Sequence, residues 1–243
     1  MSNLSYVSSF RKSKTISSSK GLRSYMIGVY NYMSLGLFIS GLSAFYLMQS
    51  GIMLSLVKNP NIFMATILGL FFIKIGISQF IASRFLTADI KTLKLSFFVY
   101  TALTGVFLAT SCLLVNVVDI FRAFFITSSV FLSMSIYGYT SESDLTGMSS
   151  LLYKIIFGII ITSIISIFIP STFFQFIISI VTIIAISLLV SYETQKLKNL
   201  YYSTQNNFEH QRRVALVGAF GLYINFIIIF QHVISLFARR DRD

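Results

Sequence analysis

Glu193 sits in the run Ser191-Tyr192-Glu193-Thr194-Gln195-Lys196, where a long apolar stretch ends. A carboxylate at the edge of hydrocarbon binds a cation or latches to a base, unless it serves only as an interfacial helix end. Arg84, which ends another apolar stretch, is a basic partner of suitable placement. Lys74 lies ten residues earlier in that stretch, roughly 15 Å deeper at 1.5 Å per residue. That is too deep to snorkel easily, so Lys74 is expected to reach a neighbour's carbonyl oxygens. Further along, Gly218, Gly221, Asn225, His232 and Ser235 recur at three-, four- and seven-residue steps, which puts them on one helix face. His232 reads as a hydrogen-bonded packing residue, because no Cys or second apolar-flanked His accompanies it as a metal ligand.

The familiar catalytic motifs are missing. There is no H-E-x-x-H, no G-x-S-x-G, no P-loop and no pair of aspartates within apolar stretches, so the expectation is a protein that is not an enzyme and needs no cofactor or metal. A single cysteine, Cys112, excludes a disulfide within the chain and reads as a small core hydrophobe. His210 reads as a solvated loop residue.

The elements that position these groups follow from composition. Of 243 residues, 55% are hydrophobic and only 11% charged, too few charges to coat a soluble domain. Seven apolar stretches are long enough for a helix to cross about 30 Å of hydrocarbon: 26–47, 62–82, 95–115, 123–140, 151–170, 173–192 and 214–237. None alternates with the period of two that a membrane barrel requires. The expected class is an all-α membrane protein, with a basic, Ser-rich tail over 1–25, a seven-helix transmembrane domain over 26–237 and a charged tail over 238–243.

The net charge of +11 has a topological reading rather than a nucleic-acid one, since no nucleic-acid-binding module accompanies it. With seven spans, thirteen Lys and Arg fall on the N-terminal side of the membrane, and five, Lys58, Arg122, Arg239, Arg240 and Arg242, on the other. The excess predicts a cytoplasmic N-terminus. The three C-terminal arginines are discordant and leave the side of the C-terminus open. The first 25 residues carry nine Ser, five Lys or Arg and no acid, a composition that also suits a mitochondrial transit peptide. The preferred location is a bacterial inner membrane; the alternative is the mitochondrial inner membrane.

In lipid, helices associate through small residues and shared polar groups. Gly36, Ser40 and Ala44 recur every four residues in the first span and form such a stripe. The fourth span, diluted by Thr127, Ser128, Ser129, Ser133 and Ser135, is expected to pack inside the bundle. The polar face of the last span is likewise expected to meet protein or water.

Several stretches converge on one family. Ala123-Phe124-Phe125-Ile126-Thr127 through Phe131, Ser135-Ile136-Tyr137-Gly138-Tyr139-Thr140 and Asp144-Leu145-Thr146 resemble the fourth-helix signature of the Bax inhibitor-1 family, the transmembrane Bax inhibitor motif proteins. Tyr100-Thr101-Ala102-Leu103-Thr104-Gly105 resembles its third helix, and Tyr192-Glu193-Thr194-Gln195-Lys196-Leu197-Lys198 the Y-D-T-Q-K-type end of its sixth. Leu222-Tyr223-Ile224-Asn225-Phe226-Ile227 resembles its L-Y-L-D-F-I seventh helix. The resemblance covers nearly all of the chain after residue 25. It implies a seven-helix bundle of the Bax inhibitor type with the last helix central. It also implies a proton-sensitive calcium leak, in which two Asp on the sixth and seventh helices share a proton and an Arg on the second helix latches to them.

At both acidic positions this sequence departs from the pattern. The sixth-helix residue is Glu193, one methylene longer, and the seventh is Asn225, which cannot ionise. The proton-sharing pair is therefore absent, which predicts a leak with weakened pH gating. Glu193 is expected to accept a hydrogen bond from Asn225 and to pair with Arg84. Depth counting does not set the two side by side unless the sixth helix continues past Lys196 or the seventh begins outside the hydrocarbon. The alternative function is a non-transporting regulator of a membrane protease or stress-response complex. The expected partners are the lipid bilayer, calcium ions and another membrane protein.

Overall fold

The computed structural model describes residues 2–113, 115–168, 171–204 and 207–240, and among these every regular element is helical. The order is α1 (Ser2–Gln49), α2 (Ile52–Val57), α3 (Pro60–Arg84), α4 (Ile90–Cys112), α5 (Val117–Thr140), α6 (Thr146–Phe168), α7 (Thr172–Ser203) and α8 (Phe208–Arg240). Seven are long and apolar enough to cross a membrane, and α2 is a six-residue exception between α1 and α3. Proline occurs in a described helix only at the first turn of α3, where its missing N–H costs nothing. Gly51, with φ +69°, makes the break between α1 and α2.

The seven helices coincide with the seven apolar stretches, but their ends do not. Helix α1 begins well before the apolar stretch at 26, α7 runs eleven residues beyond Tyr192 and α8 begins six residues before Val214. Lys, Gln and Asn are compatible with helix, so backbone hydrogen bonding continues after hydropathy has fallen. The expected end of the fifth span at Pro170 and the tail residues 241–243 lie outside the described residues.

Burial is uneven. The span in α8 buries the largest share of its residues, and α8 packs against α1, α4, α5 and α7. By contrast, α3 rests chiefly on α4 and α6 on α7. The small-residue stripe of α1 meets α4: a Cβ at Gly105 would stand 2.6 Å from the Ser40 carbonyl oxygen, so only glycine allows this approach. Ser40 is fully buried, donates its hydroxyl to the Thr101 carbonyl oxygen at 2.7 Å and lies 2.7 Å from Tyr223 Oη on α8. The Tyr223 ring stands edge-on to Phe97 with centroids 5.8 Å apart, tying α1, α4 and α8 together.

Only one stripe of α5 is buried, comprising Asp119, Ala123, Thr127, Phe131, Ser135 and Gly138. Ser129 and Ser133 are instead exposed, and each returns its hydroxyl proton to the carbonyl four residues back. That local bond lets a serine face lipid without an unpaired donor. The polarity of this span therefore divides between a packed face and a self-satisfied one.

Candidate ion site at the contact of α7 and α8

The run Ser191 to Lys198 contacts several neighbours of α7. Ser191 donates to the Met134 carbonyl oxygen at 2.8 Å, beside Gly138, where a Cβ would stand 2.1 Å from the Ser191 carbonyl oxygen. The backbones of α5 and α7 thus touch at a glycine. One turn later, Thr194 Oγ1 lies 3.2 Å from Ser135 Oγ, and Tyr30 of α1 hydrogen-bonds the same serine. Gln195 reaches the loop before α6, accepting from Leu145 N at 2.9 Å and donating to the Ser143 carbonyl oxygen at 2.7 Å. Lys198 donates to the Tyr139 carbonyl oxygen at 2.9 Å. This stretch organises the ends of α5 and α6 around α7.

Glu193 turns the other way, toward α8. Its Oε2 accepts a hydrogen bond from Asn225 Nδ2 at 2.7 Å, and a Cβ on Gly221 would stand 3.2 Å from that oxygen. Both geometric conditions raised by the sequence hold, since α7 extends past Lys196 and α8 starts well before Val214. Asn225 is buried and Glu193 partly so. A carboxylate receiving an amide N–H can hold a cation on its remaining lone pairs, but one acid does not make a coordination shell. Among the described residues, no three of His, Cys, Asp and Glu come together.

Arg84 does not join this pair. It is exposed at the end of α3, and the ion pairs among the described residues are Asp119 with Arg122 at 2.7 Å and Glu209 with Arg213 at 2.8 Å. Arg213, at the start of α8, instead approaches the end of α3, where it donates to the carbonyl oxygens of Phe85 and Leu86 at 3.4 Å and to that of Ala88. A guanidinium with many donors suits the unsatisfied carbonyls of a helix end.

Lys74 also departs from expectation. Its Nζ lies 4.7 Å from the ring centroid of Tyr100 and 4.8 Å from that of Phe107, so two aromatic faces on α4 receive it instead of carbonyl oxygens. Cys112 is buried as expected. His210 lies in the first turn of α8 and not in a loop, its N–H donated to Asn207 Oδ1 at 3.0 Å. His232 lines a polar chamber with residues of α6 and α7, two helical turns along α8 from Asn225.

Sequence reasoning missed three parts of this arrangement: the Ser40–Tyr223 contact, the Gln195 clamp on the loop before α6 and the Arg213 clamp on α3. The first two carried a signal, since Ser40, Tyr223 and Gln195 stood inside patterns already singled out, whereas Arg213 did not.

The family profile described as Inhibitor of apoptosis-promoting Bax1 matches residues 22–242. Among individual proteins, the chain is 34% identical to uncharacterized protein RP147 of Rickettsia prowazekii over 229 residues, which is 94% of each chain. It is 27% identical to the inner membrane protein YbhL of Escherichia coli K12 over 221 residues, covering 90% of this chain and 93% of YbhL. It is 32% identical over 220 residues to an uncharacterized protein of Borreliella burgdorferi, covering 90% of this chain and 93% of that one. A multi-pass membrane protein with seven spanning helices, the chain belongs to the Bax inhibitor family.

Proposed function

We propose that the protein is a non-enzymatic, cofactor-free cation leak of the inner membrane of a bacterium, passing calcium with weak dependence on pH, its N-terminus in the cytoplasm. The observation that carries the reading is the 2.7 Å hydrogen bond from Asn225 Nδ2 to Glu193 Oε2. It occupies the place where the family pattern has two acids. Two carboxylates so close cannot both ionise cheaply and therefore share a proton, whereas an amide donates to a carboxylate without competing for one. Glu193 is still a carboxylate-bearing side chain that can meet a cation, and the second acid whose repulsion makes a proton compete with the cation is gone. The inner-membrane location draws on YbhL, and the orientation on the excess of Lys and Arg on the N-terminal side.

A liposome assay of calcium flux between about pH 6 and pH 8 tests this. The expected result is a measurable flux that changes little with pH, and a steep pH response of the unaltered protein would overturn it.

A second reading has its own observation. Between the level of Glu193 and Asn225 and the level of His232, the α7 residues Ala185, Ile186, Leu189 and Val190 and the α8 residues Phe226, Ile227, Ile229 and Phe230 are all buried and apolar. Seven residues of helix make this layer about 10 Å thick. Such a seal favours a regulator of another membrane protein, a protease or a stress-response complex, that conducts nothing. Absence of flux together with a stoichiometric partner recovered from native membrane would select it.

A further inference from the structure

Toward the far end of the bundle from Glu193, residues from the C-terminal parts of α6 and α8 and the first two turns of α7 line an open polar chamber of about 330 Å³. Arg239, His232, Gln175, Gln231, Ser179 and Ser235 line it, and a second chamber of about 270 Å³ shares Arg239, Gln175, Gln231 and Ser235 with it. Among the described residues, neither chamber has an acidic side chain in its lining. Their hydrogen-bonding groups are unevenly committed. Gln175 Oε1 accepts from Arg239 Nη2 at 3.4 Å, Ser235 Oγ from the same nitrogen at 3.1 Å, and Ser179 returns its proton to the Gln175 carbonyl oxygen at 2.9 Å. The Nη1 of Arg239 is buried without a hydrogen-bond partner. Thus the Oε1 of Gln175 and the Oγ of Ser235 are engaged by Arg239, while its second guanidinium nitrogen, the amide N–H groups of two glutamines and the N–H of an imidazole are left to donate.

Donors without acceptors, one of them permanently cationic, in a polar chamber select an anion. Guanidinium pairs best with planar or tetrahedral oxyanions, and Arg239 and Gln175 set one side of the chamber within about a turn of the end of α8 and the start of α7. We propose that this chamber is a phosphate-binding site, with Arg239 as its anchor and Gln175, Gln231 and His232 as further donors. The phosphate comes either from the phosphodiester of an anionic phospholipid or from free inorganic phosphate, which present the same oxygens. The site does not depend on the leak: it lies on the other side of the apolar layer and uses none of its residues.

The test uses the full chain, purified in detergent and also reconstituted into nanodiscs. In detergent, inorganic phosphate is titrated against chloride at matched ionic strength and the thermal midpoint is followed. In the lipid arm, phosphatidylglycerol retained after detergent washing is measured by mass spectrometry. The free-anion source predicts that phosphate raises the midpoint more than chloride does. The lipid source predicts retained phosphatidylglycerol and no phosphate-specific shift. Either result supports the site if Arg239→Gln weakens binding about tenfold or more, the loss expected for a charge-assisted hydrogen bond, while Arg212→Gln leaves it unchanged. Should Arg239→Gln fail to fold, Gln231→Leu, which removes a donor and no charge, is expected to weaken binding severalfold. Neither ligand binding, or binding equal in wild type and these chamber variants, overturns the proposal.

Discussion

Asn225 and Glu193, 32 residues apart in sequence and on different helices, meet through a single hydrogen bond in which the amide donates and the carboxylate accepts. The bond sets both the charge of the site and the register of α8 against α7, because Gly221, one turn before Asn225, leaves room for the same carboxylate.

Replacing Asn225 separates those two roles. Asn225→Leu leaves a carboxylate facing hydrocarbon without its donor, and about 1–3 kcal/mol of stability is expected to go with it, read as a lowered thermal midpoint in detergent. Asn225→Asp restores a pair of acids, and calcium flux in liposomes is expected to become steeply pH-dependent. A flat profile for that variant would show that the pair does not set the gate.

Gly138 predicts a strong local effect with a clean control. In Gly138→Ala the added methyl would overlap the Ser191 carbonyl oxygen, so α5 and α7 must separate, at a cost of about 1–3 kcal/mol. At Gly158, in the middle of α6, nothing lies within 4 Å of an added Cβ. Gly158→Ala is expected to be neutral or to stabilise by up to about 1 kcal/mol, from helix propensity alone. Parallel thermal melts compare them.

Asp144, in the loop before α6 and fully exposed, accepts from Thr146 N at 2.9 Å and is further bonded by the Thr146 side chain, and these bonds hold its carboxyl below the usual carboxylate range. A group whose folded state prefers the ionised form stabilises the protein above its unfolded titration range and loses that contribution as pH falls through its folded value. The start of α6 is therefore expected to loosen only on the acid side, below about pH 4. Amide exchange at residues 145–148 checks this. Asp144→Ala is expected to exchange faster at neutral pH and to lose the acid-dependent step.

Gln195 holds the loop between α5 and α6 by two bonds. Gln195→Ala frees a buried N–H and a carbonyl at once, so a loss of about 1–3 kcal/mol is expected, together with faster proteolysis between residues 141 and 146. Cleavage at an unchanged rate would mean that the loop is held elsewhere.

The spans were legible because bilayer thickness imposes a length, and hydropathy reports it directly. The helix ends were not, since Lys196, Lys198 and Asn199 read as the limit of hydrocarbon while the α7 backbone continued through them to Ser203. The meeting of Glu193 and Asn225 was legible only as a motif-level expectation that depth counting opposed, and the longer helices resolve the opposition. Arg84 carried the right charge at the right depth, yet pairing depends on the azimuth of α3, which hydropathy does not encode. Lys74 illustrates the same gap: depth was readable, but the facing rings of Tyr100 and Phe107 belong to another helix.

The arrangement of α8 also constrains how the protein is made. This helix leaves the ribosome after the other six spans, yet it supplies Tyr223 to Ser40 of the first span and Asn225 to Glu193 of the sixth. Until it enters the bilayer, Glu193 sits in lipid without its amide donor, and Ser40 has only acceptors on α1 and α4. The bundle therefore consolidates late, and premature termination ahead of Phe208 would release a chain in which Glu193 has lost its native donor.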